Sequence, residues 1–424
     1  MSADKPSSRD LLIHNLSEVA TPHGAEPLVG GQQGSVERLS GAEVLCRDGR
    51  IAFVGSPEDR RRRFGELPDA ERLDGAGGTL VPGWVDCHTH LPWAGSREHE
   101  LRARLGGATY QEIAAQGGGI LSTVAATREA DEDELVANTR RRLDRMMRYG
   151  TTTAEAKSGY GLDLATELKQ LRAIQRAAED HPMDVVPTLL AAHEFPPEHR
   201  EYRETYVRKV CEEITPAAAE AGLARFCDVF CERGVYEVDD ARRVLEAGQR
   251  YGLTPRLHAD EFVDSGGAEL AAELGAASAD HVVAVSQRGI EAMAVAGVAA
   301  VLLPGVSFFL RKTDFAPARR LVAEGVPVVL ATDCNPGSSH TESMPMILWL
   351  GIFRLDLSVD ECLTAATLNA ACVLGLGDQV GSLDEGKQAD AVLLEGPNLD
   401  HLAYHFGVDP VAAVVKAGAV VHRR

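Results

Sequence analysis

The stretch PGWVDCHTH, residues 82–90, opens on a turn pair, runs through a short apolar segment and ends on two histidines one residue apart. In an extended strand, residues i and i+2 face the same way, so His88 and His90 can converge on one ion if a strand ends there. The pair alone decides nothing, because 14 histidines in 424 positions give about 0.5 such spacings by chance. The remainder of the chain has to supply a frame and further ligands.

From residue 81 onward, short β-branched runs alternate with charge-rich stretches of helical periodicity, the pattern of repeated βα units. Eight strands are expected, at 83–87, 151–156, 185–191, 226–230, 254–257, 279–282, 299–303 and 326–331. Between them lie segments such as EDELVANTRRRLDRMMRYG (132–150), with apolar residues at helical spacing and Gly150 as the stop. Eight units indicate an α/β fold of the (β/α)8 TIM-like barrel type over residues 81–380. The flanks, 1–80 and 381–424, carry strand-like pieces such as AEVLCRDGRIAFVG and DPVAAVVKAGAVVHRR. They predict one small composite β-sandwich domain built from both chain ends, which accounts for a length beyond that of an ordinary barrel.

Composition narrows the function. Apolar residues make up 45% and charged ones 25%, values of a folded globular chain. A net charge of −20 argues against a nucleic-acid partner, which needs a dominant basic surface. The run Arg60 to Arg63 reads as a solvated helix or loop face. Eight widely spaced cysteines read as reduced thiols of a cytoplasmic protein, and the opening residues lack the pattern of an export signal. The uncharged stretch AMAVAGVAAVLLPGVSFFL (292–310) is long enough for a bilayer, but Gly297 and Pro304-Gly305 divide it into a helix end, a buried strand and a loop; no membrane association is expected. Gly117, Gly118 and Gly119 lack the spacing of a phosphate loop and indicate a mobile or tightly turned βα connection.

The constellation at the strand ends carries the chemistry. His258 in RLHADE follows the fifth expected strand, His281 in SADHV falls at the sixth, and Asp333 in LATDCNPGSSH ends the eighth. Taken singly, each histidine reads as a hydrogen-bonded core or surface residue and Asp333 as a helix cap. Together with His88 and His90 they occupy the C-terminal mouth, where barrel enzymes assemble their sites. Three imidazoles and a carboxylate suit Zn2+ or Fe2+, whereas Mg2+ or Ca2+ would ask for more oxygen ligands. An ion so held lowers the pKa of a water from ~15.7 towards ~7, which makes hydrolysis the leading chemistry. Glu261, three residues after His258, is a candidate proton donor and acceptor, with surface solvation as its alternative, and His281 could orient the water or polarise the substrate oxygen. Cys87 and Cys334 read as packing residues.

The motifs VPGWVDCHTHLPWAGSREHE, GGATYQEIAAQGGGI, TTTAEAKSGYGL, LHADE, GGAELAAELGAASADHV, LATDCNPGSSHTESMP and GSLDEGKQADAVLLE together resemble the imidazolonepropionase family of metal-dependent amidohydrolases. The resemblance implies hydrolytic opening of 4-imidazolone-5-propanoate to N-formimidoyl-L-glutamate in histidine degradation, with one Zn2+ or Fe ion per subunit and a homodimeric assembly. It implies His88, His90, His258 and Asp333 as metal ligands, and Glu261, His281 and Asp333 as catalytic. Arg97, Tyr160, His193, Glu261, Asn335, Gly337 and Ser338 are implied as substrate contacts. A guanidinium at Arg97 suits the propionate of a small anionic substrate. Cys87, Trp93, Phe195 and His340 depart from the commonest family pattern without removing a ligand or the arginine. A cyclic deaminase of guanine or triazine type shares the histidines and the aspartate; the Arg97, KSGYGL and NPGSS set favours the imidazolone. A ring-opening hydantoinase would want a lysine at the fourth strand, where CDVFCERG has none. A non-catalytic barrel would be expected to lack a ligand, and none is missing.

Overall fold

In the computed structural model, which describes residues 10–107 and 118–424, eight parallel strands follow one another around a barrel in chain order. They are β1 (Trp84–Asp86), β2 (Thr151–Lys157), β3 (Asp184–Ala192), β4 (Phe226–Cys231), β5 (Thr254–Ala259), β6 (Ser278–His281), β7 (Ala299–Leu302) and β8 (Val328–Leu330). All eight coincide with the expected strands, with ends differing by at most two residues.

Closure happens at the mouth. β1 and β8 share no ladder, but a parallel bridge joins Thr89 to Cys334. The amide of Asp333 donates to the His88 carbonyl at 3.0 Å, and that of His90 to the Cys334 carbonyl at 3.0 Å. Lower in the seam, the buried Asp86 carboxylate accepts from the Thr332 amide at 3.1 Å and hydroxyl at 2.6 Å. Burial pushes its pKa up to about 7 against the pull of those bonds. Two of the segments bearing expected ligands, those of His88–His90 and of Asp333, are therefore the ones that zip the barrel shut.

Period-two alternation gives each strand two packed faces. Ala300, Leu302, Val328 and Leu330 pack in the large cluster shared with the surrounding helices, while Val85, Cys87, Val301, Val329 and Ala331 form a second cluster with Ala370, Ala371 and Val373. Helix Glu132–Arg148 shows how the outer layer is specified: Asp131 caps it by accepting the Glu134 amide, acidic residues fill its first turn and basic ones its last. The chain then reverses at Gly150, whose φ is +92° and where a Cβ would stand 2.6 Å from the Trp84 indole nitrogen.

Both chain ends build the two remaining sheets. One has four strands, Arg50–Gly55, Glu43–Arg47, Leu11–His14 and Glu71–Asp74. The other has six, with the C-terminal strand Ala391–Leu394 pairing antiparallel to Thr79–Pro82. Leu11, Ile13, Val44 and Cys46 from the first sheet share a core with Val19, Leu80, Leu393 and Val415 from the second.

Two local expectations need correction. The residues after Leu303 form a helix, Pro304–Phe309, rather than a loop, since proline at the first helical position loses no hydrogen bond there. Arg60 is not solvated: helix Pro57–Phe64 turns it inward, where it meets Glu43 at 2.9 Å and donates to the Gly65 carbonyl, leaving Arg61 to Arg63 outside. Gly117 lies outside the described residues; Gly118 and Gly119 lead into helix Ile120–Glu129, with the Gly119 amide donating to Glu100. Among the described residues no helix is long and apolar enough to cross a membrane.

Candidate metal centre and active site

His88 and His90 lie just beyond β1, His258 in β5, His281 at the end of β6 and Asp333 three residues past β8. All five are at most 4% exposed. The imidazoles of His88 and His258 have centroids 4.6 Å apart, and those of His90 and His258 are 5.5 Å apart. Oδ1 of Asp333 stands 3.2 Å from Nε2 of His90 and 3.5 Å from Nε2 of His88. His281 (φ +74°) and Asp333 (φ +50°) both adopt left-handed backbone, which aims strand-end side chains across the mouth at a cost in strain.

These residues fit a metal ion. Nδ1 of His88 is engaged by Asp280 at 2.6 Å and Nδ1 of His258 by Asp228 at 3.1 Å, so in each ring Nε2 carries the lone pair. Nε2 of both rings and Oδ1 of Asp333 are buried with no hydrogen bond from the described residues to satisfy them, a costly arrangement in the absence of a cation. Donor atoms of His88, His90 and Asp333 fall within 4.8 Å of one another, as do those of His88, His258 and His281, and of His90, His193 and His258.

Electrostatics favour neutral rings at most positions. Burial, helped by Lys157 and the neighbouring imidazoles, holds His88 well below its usual pKa, and burial pushes His90 to about 4 despite Asp333. His258 moves the other way, because Asp228 outweighs the effect of burial. Asp333 is held below the ordinary carboxylate value: burial raises it, but the surrounding histidines more than offset that. Lys157 stays charged, since Asp228 and Glu155 outweigh burial and Arg256.

Around this centre, His193 stacks on His90 at 5.0 Å with an interplanar angle of 20°, and Tyr160 lies 5.9 Å from His90. Glu261 approaches His281 Nδ1 at 3.7 Å. Arg97 forms a two-pronged pair with Glu100, at 3.0 and 2.8 Å, which leaves Nη1 against Gly337. Asn335 directs its side chain into its own loop: Oδ1 accepts the amides of Gly337 and Ser338, and the amide nitrogen donates to the Asp333 carbonyl and the Ser338 hydroxyl. Cys87 and Cys334 are buried. Phe195 stacks on Tyr236 at 4.3 Å, and Trp93 packs under Arg142 and beside His340.

Sequence reasoning missed the residues behind the cluster. Asp228, Asp280, Glu155, Lys157 and Arg256 are all fully buried. The available signal was charge inside strands that are otherwise apolar. Lys312 was also missed; its Nζ lies 3.5 Å from Glu261 and 4.0 Å over the Phe262 ring.

Residues 79–421 match the amidohydrolase family model, and the chain belongs to that family. Its solved neighbours include a triazine hydrolase variant (TM-score 0.75, 19% identity, 98% of this chain and 95% of the other) and E. coli guanine deaminase (TM-score 0.69, 16% identity, 98% and 99%), which at such identities share the fold alone. Within the family the chain belongs with the imidazolonepropionases. It is 49% identical to that of Geobacillus kaustophilus over 97% of this chain and 98% of the relative, and 50% identical to that of Symbiobacterium thermophilum over 97% of each. The Rubrobacter xylanophilus imidazolonepropionase is also 50% identical, over 98% of this chain and 99% of its own length.

Proposed function

We propose that this protein is a metal-dependent hydrolase that opens the ring of 4-imidazolone-5-propanoate to N-formimidoyl-L-glutamate. The observation that carries the reading is the buried convergence of His88, His90, His258 and Asp333 in a chain about half identical to imidazolonepropionases over nearly its full length.

One Zn2+ or Fe ion, held by those four residues, would supply Lewis acidity and an acidified water. Water adds to the ring carbonyl carbon, the carbonyl–nitrogen bond breaks, and the departing nitrogen takes up a proton. Asp333 accepts the proton of the attacking water, and His281 orients the carbonyl. Glu261, beside His281 on the other side from Lys312, protonates the leaving nitrogen. Arg97, pinned by Glu100, binds the propionate through its remaining Nη1, with Gly337 and Ser338 shaping that pocket and Asn335 holding their loop in place. Tyr160 and His193 wall the ring site. Residues 81–380 form the catalytic barrel, and 1–80 with 381–424 the accessory sandwich. The protein acts as a cytoplasmic homodimer, a setting that its eight free cysteines suit.

Metal-replete protein is expected to consume freshly generated 4-imidazolone-5-propanoate, followed by ultraviolet loss, and to yield N-formimidoyl-L-glutamate by mass without ammonia. Ammonia release would favour a deaminase. Asp333→Asn is expected to lose at least about 100-fold in kcat, by removal of a proton acceptor; unchanged turnover would contradict the assignment.

A further inference from the structure

Under the histidine cluster lie two cations that no substrate can reach. Arg256 in β5 and Lys157 at the end of β2 are both 0% exposed. Arg256 fans its guanidinium over three acceptors. Nη2 meets Asp280 Oδ2 at 2.8 Å, the same oxygen that accepts from His88 Nδ1 at 2.6 Å. Nη1 donates to the carbonyl of Cys87, the residue before His88, at 2.7 Å, and Nε to the Ser278 hydroxyl at 3.1 Å. Lys157 Nζ lies 2.9 Å from Asp228 Oδ2 and 2.8 Å from Glu155 Oε1. Asp228 Oδ1 in turn holds His258 by its Nδ1 at 3.1 Å and its backbone amide at 3.2 Å. Glu155 Oε2 accepts the amide of Thr89, the residue between His88 and His90, at 3.0 Å.

Burying so many charges is expensive, and buried ion pairs are often no more stabilising than apolar packing of the same volume. Their geometry points elsewhere. Among the described residues Asp280 Oδ1 has no hydrogen-bond partner, and Arg256 and His88 are the groups that fix the rotation of that carboxylate. Apart from the Arg256 bond to Ser278, the contacts of each cation lead to a ligand ring or to the backbone beside one.

We propose that Arg256 and Lys157 are positioning residues of the metal centre: by anchoring Asp280 and Asp228 they lock the rings of His88 and His258 with Nε2 facing the ion, and so set how tightly the site holds a divalent cation. This rests on the reading of His88 and His258 as ligands. Lysine at 256 would keep the charge but could not span the three acceptors, so the two cations are not interchangeable.

The test uses full-length wild type, Arg256→Met, Lys157→Met and Arg256→Lys, stripped of metal. Zn2+ affinity is measured by competition with a chromophoric chelator, and ligand geometry from the visible absorption of the Co2+-loaded forms. Both methionine variants are expected to bind Zn2+ about 10- to 100-fold more weakly. Arg256→Lys is expected to fall between them and wild type, with an altered Co2+ band. Affinities within about twofold of wild type in variants with native circular dichroism would overturn the proposal while leaving the metal reading intact, whereas wild type that binds neither ion would sink that reading itself. Should the methionine variants fail to fold, Arg256→Lys carries the decision: wild-type affinity with an unchanged Co2+ band refutes the proposal, and weaker binding with an altered band supports it.

Discussion

Gly337 has no side chain, and a Cβ built there would stand 2.2 Å from Nη1 of Arg97. Because that atom is the tip of a side chain clamped by Glu100, an added methyl displaces the guanidinium rather than the backbone. Gly337→Ala is therefore expected to raise KM about tenfold or more, the worth of one charge-assisted hydrogen bond, with little change in unfolding midpoint. Steady-state kinetics beside Arg97→Ala check this; a normal KM in both would remove Arg97 from carboxylate binding. At this scale the sequence was legible where chemistry is local. His88, His90, His258, His281 and Asp333 could be found because each ends a recognisable strand. Asp228 and Asp280 could not be assigned, because their meaning comes from which ring they touch, and that depends on neighbouring strands: β5 and β6 run with His258 opposite Asp280, and β4 and β5 with Phe230 opposite His258.

Among the elements, β8 shows most clearly what periodicity leaves out. It spans only Val328–Leu330, and its free side is completed by a side chain from the chain's beginning. Gln33, fully buried, accepts from the Val328 amide and donates to the Val328 carbonyl, both at 3.2 Å, in the manner of a neighbouring strand. Gln33→Ala would leave that buried amide unpaired, at a cost of about 1–3 kcal/mol. A lower denaturant midpoint than wild type is expected, and an unchanged one would show that the edge is satisfied in another way. All eight strands were readable from alternating β and helical segments, because secondary structure follows near-neighbour pattern. The helix Pro304–Phe309 was not, since a turn-promoting Pro-Gly pair can equally open a helix, and its burial is decided by Ser339 and Ile347 packed against Gly305.

For the whole molecule, the joining of the two chain ends has its own titratable tie. His23 lies between Asp384 at 2.5 Å and Glu37 at 2.9 Å, linking residues 361 positions apart. Burial pushes the His23 pKa down, but the two carboxylates outweigh it and the net direction is up from 6.5. Asp384 is lowered from 3.8: burial raises it, and His23, Ser382 and the Gly24 amide more than compensate. A raised histidine contributes stability that is complete below its unfolded pKa and lost as pH rises through the folded one; a lowered carboxylate contributes stability lost only as pH falls through its folded value. The tie is thus strongest between about pH 4 and pH 6.5. The difference in unfolding midpoint between wild type and His23→Gln is expected to be largest near about pH 5.5 and to shrink as pH rises above about 6.5. A constant difference across that range would refute an ionic tie.

Residue types, their spacing and their positions after strands determined the fold class, the family and the five residues at the mouth, because each of these is a property of short stretches of chain. Only the tertiary structure decided where the barrel closes, which carboxylate holds which imidazole, and how Gln33 and His23 tie the flanks to distant partners. Those contacts join residues from 30 to more than 300 positions apart. They are set by strand register and sheet closure, which no local pattern encodes.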